Sequence, residues 1–344
     1  MRTTQLEFLH RNSSIKKLGS PRPDTDHGDM KRTRAPKSQR SSSGRTRSAK
    51  AESGRIHPVI IYPFRHPADL DDLERLYGLV SRLNSEKATY ARPITVIDWK
   101  TRNTMAKSAR HLRFLDKTVA ACSDLIQTWS VDTCQMWYFG LGNAFERGRP
   151  GDTYWMIPGD FNYGGAVGRE VLSRLHDLPE ICDELDQDVC IGEIHTDHNN
   201  SKQLIDTYGT FALLYNWFPA EAQAIREITE RPRSEFFAIR HEFLKEMLNS
   251  RWYAYEQTVV ILLHAIFSRK RVSRFFVGEI SDLPAGKDSL SSAIQQVERT
   301  ERVFKSLWRE LHHMKPEWID SYRKLDDQSG QLRRTAITIL KNLL

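Results

Sequence analysis

The stretch YWMIPGDFNY, Tyr154 to Tyr163, runs from apolar residues into Pro158-Gly159 and then presents one carboxylate, Asp160. An acid just past a strand suits the holding of a divalent cation or of sugar hydroxyls; the plainer reading is the first polar residue of a turn. Arg65, after VIIYPF, offers a guanidinium suited to a diphosphate. Asp98, after PITVI, can accept hydrogen bonds from a base or ribose, or simply start a turn. EIHTDHNN brings Glu193, His195 and Asp197 onto one face if extended, with His198 adjacent. Carboxylate with imidazole is metal-ligand chemistry, and the same residues with Asn199, Asn200 and Lys202 make a polar loop able to meet an acceptor.

GLGNAF, with Gly140, Gly142 and Asn143, reads as a Gly-opened helix whose first amides face an anion. It is neither a P-loop nor a dinucleotide fingerprint, and the chain has no G-x-S-x-G elbow and no Cys/His pair spaced for nucleophilic catalysis.

These residues need a scaffold, and the composition provides for one. The chain has 344 residues, 39% of them hydrophobic, with 8 Trp, 11 Tyr and 15 Phe, enough for a sizeable core. Its net charge of +7 is unevenly spread: residues 1–55 hold 14 Lys/Arg against 5 Asp/Glu, so the remainder sits near −2. KRTRAPKSQRSSSGRTRSAK lacks apolar periodicity and reads as a solvated, disordered tail, with contact to nucleic acid or an anionic surface as its minor role. Four Cys without a C-x-x-C pair fit free thiols in a reducing, cytoplasmic setting. TVVILLHAIF is about half a membrane span, so no integral membrane segment is expected.

Along the chain, VIIYPF, PITVIDW, DTYWMIPGD, DVCIGEIHTDH and VSRFFVGEI read as strands. DLDDLERLYGLVSRLN, Val119 to Ile126, GLGNAFERG, GREVLSRLHDL, SKQLIDTYGTFALLYNWF, RSEFFAIRHEFLKEML, YEQTVVILLHAIF and SLSSAIQQVERTERVFKSLWREL read as helices. Strands apolar on both faces alternating with helices give an α/β fold, a Rossmann-like, mostly parallel sheet flanked by helices. In such sheets ligands gather at the carboxyl ends of strands, where Arg65, Asp98 and Asp160 fall.

The order of these segments resembles that of GT-A-fold glycosyltransferases. VIIYPFRH, ITVIDW and GLGNAFERGRPGDTYWMIPGDFNY are similar to the first half of that family, where a Gly-flanked helix leads to a strand ending in a metal-binding D-x-D. NNSKQLIDTYGTFALLYNWFP, RSEFFAIRHEFLKEML, YAYEQTVV and LPAGKDSLSSAIQQVERTERVFKSLW follow in the order of mannosylglycerate synthase and its glucosyl-transferring relatives, so the resemblance covers roughly residues 57 to 311. It implies that Pro63, Phe64 and Arg65 line a nucleotide pocket, that Asp98 sits near the base or ribose, and that Asp160 is the second acid of D-x-D. Glu235 would face sugar and acceptor, and Glu256 would lie close to the reaction centre.

Three positions depart from the family: Pro158 at the first acid, Leu141 at a basic residue, and Ser281 near a late metal-binding His. The implied Mg2+ or Mn2+ would keep Asp160 as its one matching ligand. The expected architecture is a basic tail (1–55), a GT-A-like domain (56–280) and a C-terminal helical extension packed on it (281–344). The expected activity is transfer of a sugar from a nucleotide-diphospho-sugar donor to a small or lipid-linked polar acceptor, with retention. A degenerate GT-A domain that binds without turnover, or a sugar-phosphate nucleotidyltransferase, are the alternatives.

Overall fold

The computed structural model describes residues 54–62, 70–129, 133–161, 163, 166–196, 201–253, 256–280, 290–313 and 315–344. The basic segment and the expectations placed on it lie outside the described residues. Seven strands form one sheet: β1 (Ile56–Tyr62), β2 (Ile94–Asp98), β3 (Asp124–Thr128), β4 (Thr153–Pro158), β5 (Val189–Thr196), β6 (Phe237–Arg240) and β7 (Val272–Ile280). Their order is β3-β2-β1-β4-β6-β5-β7. All pairs are parallel except those of β6, which runs antiparallel to both β4 and β5. The result is a mostly parallel sheet flanked by helices, the Rossmann-like arrangement expected from the chain.

The sheet is covered on both sides because its strands alternate between two cores. Val59 and Ile61, with Tyr154 and Met156, enter one core; Ile60, with Trp155 and Ile157, enters the other. The first core is closed by the Thr133–Arg147, Phe211–Trp217, Gln257–Phe267 and Leu290–Leu311 helices, and by the last helix, Ile319–Leu343. The second is closed mainly by the Leu70–Glu86, Ala166–Arg174 and Asp177–Glu184 helices. Among these, the last helix docks through a polar seam. Trp217 Nε1 donates to Ser329 Oγ at 3.1 Å, Ser329 Oγ donates to Glu301 at 3.0 Å, and Lys305 and Arg333 each meet Glu301 at 3.0 Å.

Several sequence expectations are corrected by this packing. The helical reading of Val119–Ile126 ends at Cys122, and Asp124–Thr128 is edge strand β3, too short and too polar to show a period. RSEFFAIRHEFLKEML is a strand followed by a helix: Phe237–Arg240 fills the gap between β4 and β5, then His241–Leu248 coils. GREVLSRLHDL spans two helices, and the long 201–217 helix contains a π turn at Ile205–Thr210. GLGNAF does not open a helix; it lies inside Thr133–Arg147. A Cβ on Gly140 would stand 2.7 Å from Val59 Cγ1 and 2.9 Å from Val96 Cγ2, so Gly140 lets the helix approach β1 and β2. Gly142 faces open space, and Asn143 Nδ2 donates to Phe139 O within the helix at 2.8 Å.

At the amino end of the sheet Asp152, buried to 1% exposure, ties three segments together. Its carboxylate accepts from Arg55 N at 2.8 Å and Arg149 N at 3.0 Å, and pairs with His57 Nε2 at 2.8 Å. His57 stacks on Tyr154, whose hydroxyl meets His241 Nδ1 at 2.8 Å. Burial lowers the pKa of both His57 and His241 below the usual imidazole value, against the opposing pull of Asp152 and Glu242. A lowered folded-state pKa means the unfolded chain binds protons first as pH falls, so stability falls with it.

Two predictions follow from the packing. The melting temperature should drop as pH falls from about 7.5 to 5.5, over the range where an unfolded imidazole titrates; a flat thermal-denaturation profile there would refute the assignment. Gly140→Ala should cost about 1–3 kcal/mol from overpacking, whereas Gly142→Ala should be neutral or gain up to about 1 kcal/mol of helix propensity, both read by urea denaturation.

Candidate functional site

A parallel strand buried on both faces can place polar groups only at its ends, and the registers decide which ends meet. Tyr62 pairs with Ile97, and Ile61 with Pro158. Asp98 thus ends β2 and Asp160 follows two residues after the end of β4; β2 and β4 flank β1 on opposite sides, two strand spacings or roughly 10 Å apart. On β6, Phe237 pairs with both Met156 and Ile191. Glu235 lies two residues before β6, and its charge, like that of Asp160, acts on Tyr163. The carboxyl rim thus gathers Asp98, Asp160, Glu235 and Glu193.

Their environments differ. Asp98 is 6% exposed and caps the Trp99–Met105 helix: its two oxygens accept from Thr101 N at 2.7 Å and Thr101 Oγ1 at 3.0 Å. That is an N-cap, which satisfies amides the helix leaves orphaned. Asp160 is half-buried and makes no hydrogen bond or ion pair among the described residues. Next to it Tyr163 is wholly buried and donates its hydroxyl to Pro158 O at 2.7 Å. Burial, then the charges of Asp160 and Glu235, push the Tyr163 pKa well above the usual phenol value. Tyr163 thereby stays a neutral donor that braces the Pro-Gly-Asp corner, within the field of both acids.

Glu193 and His195 belong to β5 rather than to a loop, because the strand continues to Thr196. Glu193 is 1% exposed and saturated: Thr229 Oγ1 at 3.2 Å, Glu230 N at 3.0 Å and Arg274 at 3.0 Å all donate to it. His195 is exposed, 3.9 Å from Glu193, with its ring against Phe276. Glu256, fully buried, accepts a bifurcated hydrogen bond from Arg299 Nε, at 2.8 and 3.0 Å, and one from Thr300 Oγ1 at 3.3 Å. Leu141 and Gly140 are buried in the first core, with Gly142 and Asn143 on the same helix. Pro63, Phe64, Arg65, Asn199, Asn200 and Ser281 lie outside the described residues, as does the side chain of Lys202.

Beside the rim is a charge cluster that the sequence reading missed. Asp206, 1% exposed in the π turn, accepts from Arg231 Nε at 3.0 Å and Arg233 Nε at 2.7 Å. Arg233 also donates to Gln296 at 2.8 Å, which joins the cluster to the helix carrying Arg299. The one sequence signal was Arg231-Pro232-Arg233 ahead of a strand, together with an acid inside the apolar run LIDTYG. A separate grouping of His176, Asp177 and Glu180 has metal-compatible spacing. It lies at the amino end of the sheet, near Tyr90, and Lys87 pairs with Glu180 at 2.5 Å.

No family model matches the chain, and no curated protein matches it in sequence. Solved structures similar to it include three from mycobacteria. A mycobacterial protein shares 13% identity at a TM-score of 0.47, over 72% of this chain and 75% of that one. Glucosyl-3-phosphoglycerate synthase from Mycobacterium tuberculosis, solved with Mn2+, uridine diphosphate and phosphoglyceric acid, shares 11% at a TM-score of 0.47, over 72% of this chain and 78% of that one. A Mycobacterium tuberculosis H37Rv protein solved with manganese shares 11% at a TM-score of 0.34, over 72% of this chain and 99% of that one.

The unequal pairing of these acids gives a stability test. Glu256→Ala removes the acceptor shared by the partly exposed Arg299 and by Thr300 and should cost about 1–3 kcal/mol. Urea denaturation that finds the variant as stable as the parent would show that the ion pair does not hold the Gln257–Phe267 and Leu290–Leu311 helices together.

Proposed function

We propose that the chain is a GT-A-type glycosyltransferase that moves a sugar from a nucleotide-diphospho-sugar donor to a small or lipid-linked polar acceptor, with retention of anomeric configuration. The observation that supports this most is the half-buried Asp160 carboxylate, unpaired among the described residues, at the carboxyl end of central strand β4. A partly desolvated carboxylate without a partner is costly, and a cation or a set of sugar hydroxyls relieves that cost. Glu235, in the turn that leads into β6, supplies a second acid whose charge, like that of Asp160, reaches Tyr163.

Asp160 fits a divalent cation, because Mg2+ is commonly held by one or two carboxylates, with substrate phosphates and waters completing the shell. When bound, such an ion supplies Lewis-acid stabilisation to the charge growing on the leaving diphosphate. In this reading Arg65 adds a second positive charge at the diphosphate. Glu235 accepts hydrogen bonds from sugar or acceptor hydroxyls and orients the attacking oxygen. Glu256 acts through its partners, fixing the direction of Arg299 and Thr300. Retention through an oxocarbenium-like state needs no strong general base, in keeping with the lack of a free imidazole beside Asp160 among the described residues.

A second reading, a domain that binds the donor without turnover, is favoured by Pro158 in place of an acid and by the saturation of Glu193 and Glu256. Calorimetric titration with UDP- and GDP-sugars, with and without Mn2+ or Mg2+, followed by a sugar-release assay, separates the two. Binding with turnover supports the transferase; binding alone supports the second reading; absence of binding rejects both. Asp160→Asn should abolish metal-dependent donor binding while its melting temperature stays within about 2 °C of the parent, since no structural partner is lost. Full donor affinity in that variant would remove Asp160 from the site.

A further inference from the structure

The rim carries a pair of aromatic residues that neither the acids nor the cores account for. Trp99 follows Asp98 at the end of β2, Trp129 follows Thr128 at the end of β3, and Asp98 and Thr128 are Cα partners in the parallel ladder. The two tryptophans therefore leave neighbouring strand ends at one level, with their strands about 5 Å apart. Trp129 is 83% exposed, more than any other large hydrophobic residue among those described. Trp99 is half-buried, with the Lys100 ammonium 5.8 Å from its ring centroid. Neither belongs to the apolar cores, and no ring contact joins them among the described residues.

Single exposed apolar residues are ordinary on protein surfaces. Two tryptophans level with each other, on the same edge as Asp160, are a different matter, because an indole face left in water is surface available to a planar ligand. Asp98, the residue before Trp99 and the ladder partner of Thr128, has both carboxylate oxygens engaged by Thr101. Base recognition at this end of the sheet then falls to stacking, with Lys100 adding positive charge beside the ring. From β2 and β3 to Asp160 on β4 is two to three strand spacings, roughly 10–15 Å, a distance that a nucleoside diphosphate bridges.

We propose that Trp99 and Trp129 form the platform on which the nucleobase of the donor stacks, so that these residues, and not the Asp98 carboxylate, hold the base. The proposal rests on the nucleotide-sugar reading above. Its test is calorimetric titration of the full chain with UDP, GDP and inorganic pyrophosphate, for the parent, Trp129→Ala and Trp129→Phe. Trp129→Ala should weaken both nucleotides about tenfold or more, leave pyrophosphate unchanged and leave the melting temperature unchanged; Trp129→Phe should recover most of the affinity. Parent-like nucleotide affinity in Trp129→Ala, or an equal loss for pyrophosphate, overturns the platform while leaving the donor reading intact. A parent chain that binds neither nucleotide overturns both.

Discussion

The pairing of β4 with parallel β1 on one side and antiparallel β6 on the other governs the rest of the molecule. β4 is buried at every position, so its polar consequences appear only at its ends. At the amino end Asp152 gathers Arg55, Arg149 and His57; at the carboxyl end Pro158-Gly159 stops the strand and Asp160 emerges. Gly159 N donates to Ile61 O at 2.6 Å, which extends the β1 ladder one step and sets the direction in which the corner leaves. Because β6 runs the other way, its entry rather than its exit lies at that rim, and this brings the charge of Glu235, just ahead of β6, to bear on Tyr163 together with that of Asp160.

The acids at this edge divide by what they already hold. Asp98 caps a helix, Glu193 ties β5 to β7 and to the end of the Pro219–Ile228 helix, and Glu256 ties two helices through Arg299. A buried carboxylate with every lone pair engaged stabilises local geometry and has little left for a ligand. Asp160 differs because its surroundings leave it unmatched. In the Asp206 cluster two guanidinium groups, Arg231 and Arg233, share one buried acid.

Much of the scaffold was legible in the chain. β1, β2 and β4 read as continuous apolar runs because a strand covered on both faces cannot alternate, and β5 and β7 were legible from the apolar clusters VCI and FFV. The Leu70–Glu86 and Leu290–Leu311 helices were equally plain from their spacing. β3 and β6 were missed because four or five residues are too few to separate a strand from a helical turn. Gly140 was misread for a related reason: a glycine permitting close approach of a helix to a sheet looks, in sequence, like one that opens a phosphate loop.

The sequence by itself determined that a layered α/β body would form and that Asp160 would follow a buried strand, since both depend on local patterns of apolar and polar residues. Only the tertiary structure decided which acids remain available, because that depends on partners distant in the chain: Arg299 for Glu256, and Thr229 and Arg274 for Glu193. It also decided that Trp99 and Trp129 each follow one of two paired strand-end residues, Asp98 and Thr128, a consequence of ladder register between strands separated by about thirty residues of chain. Pairing energies of this kind are set in three dimensions, and spacing along one dimension carries no record of them.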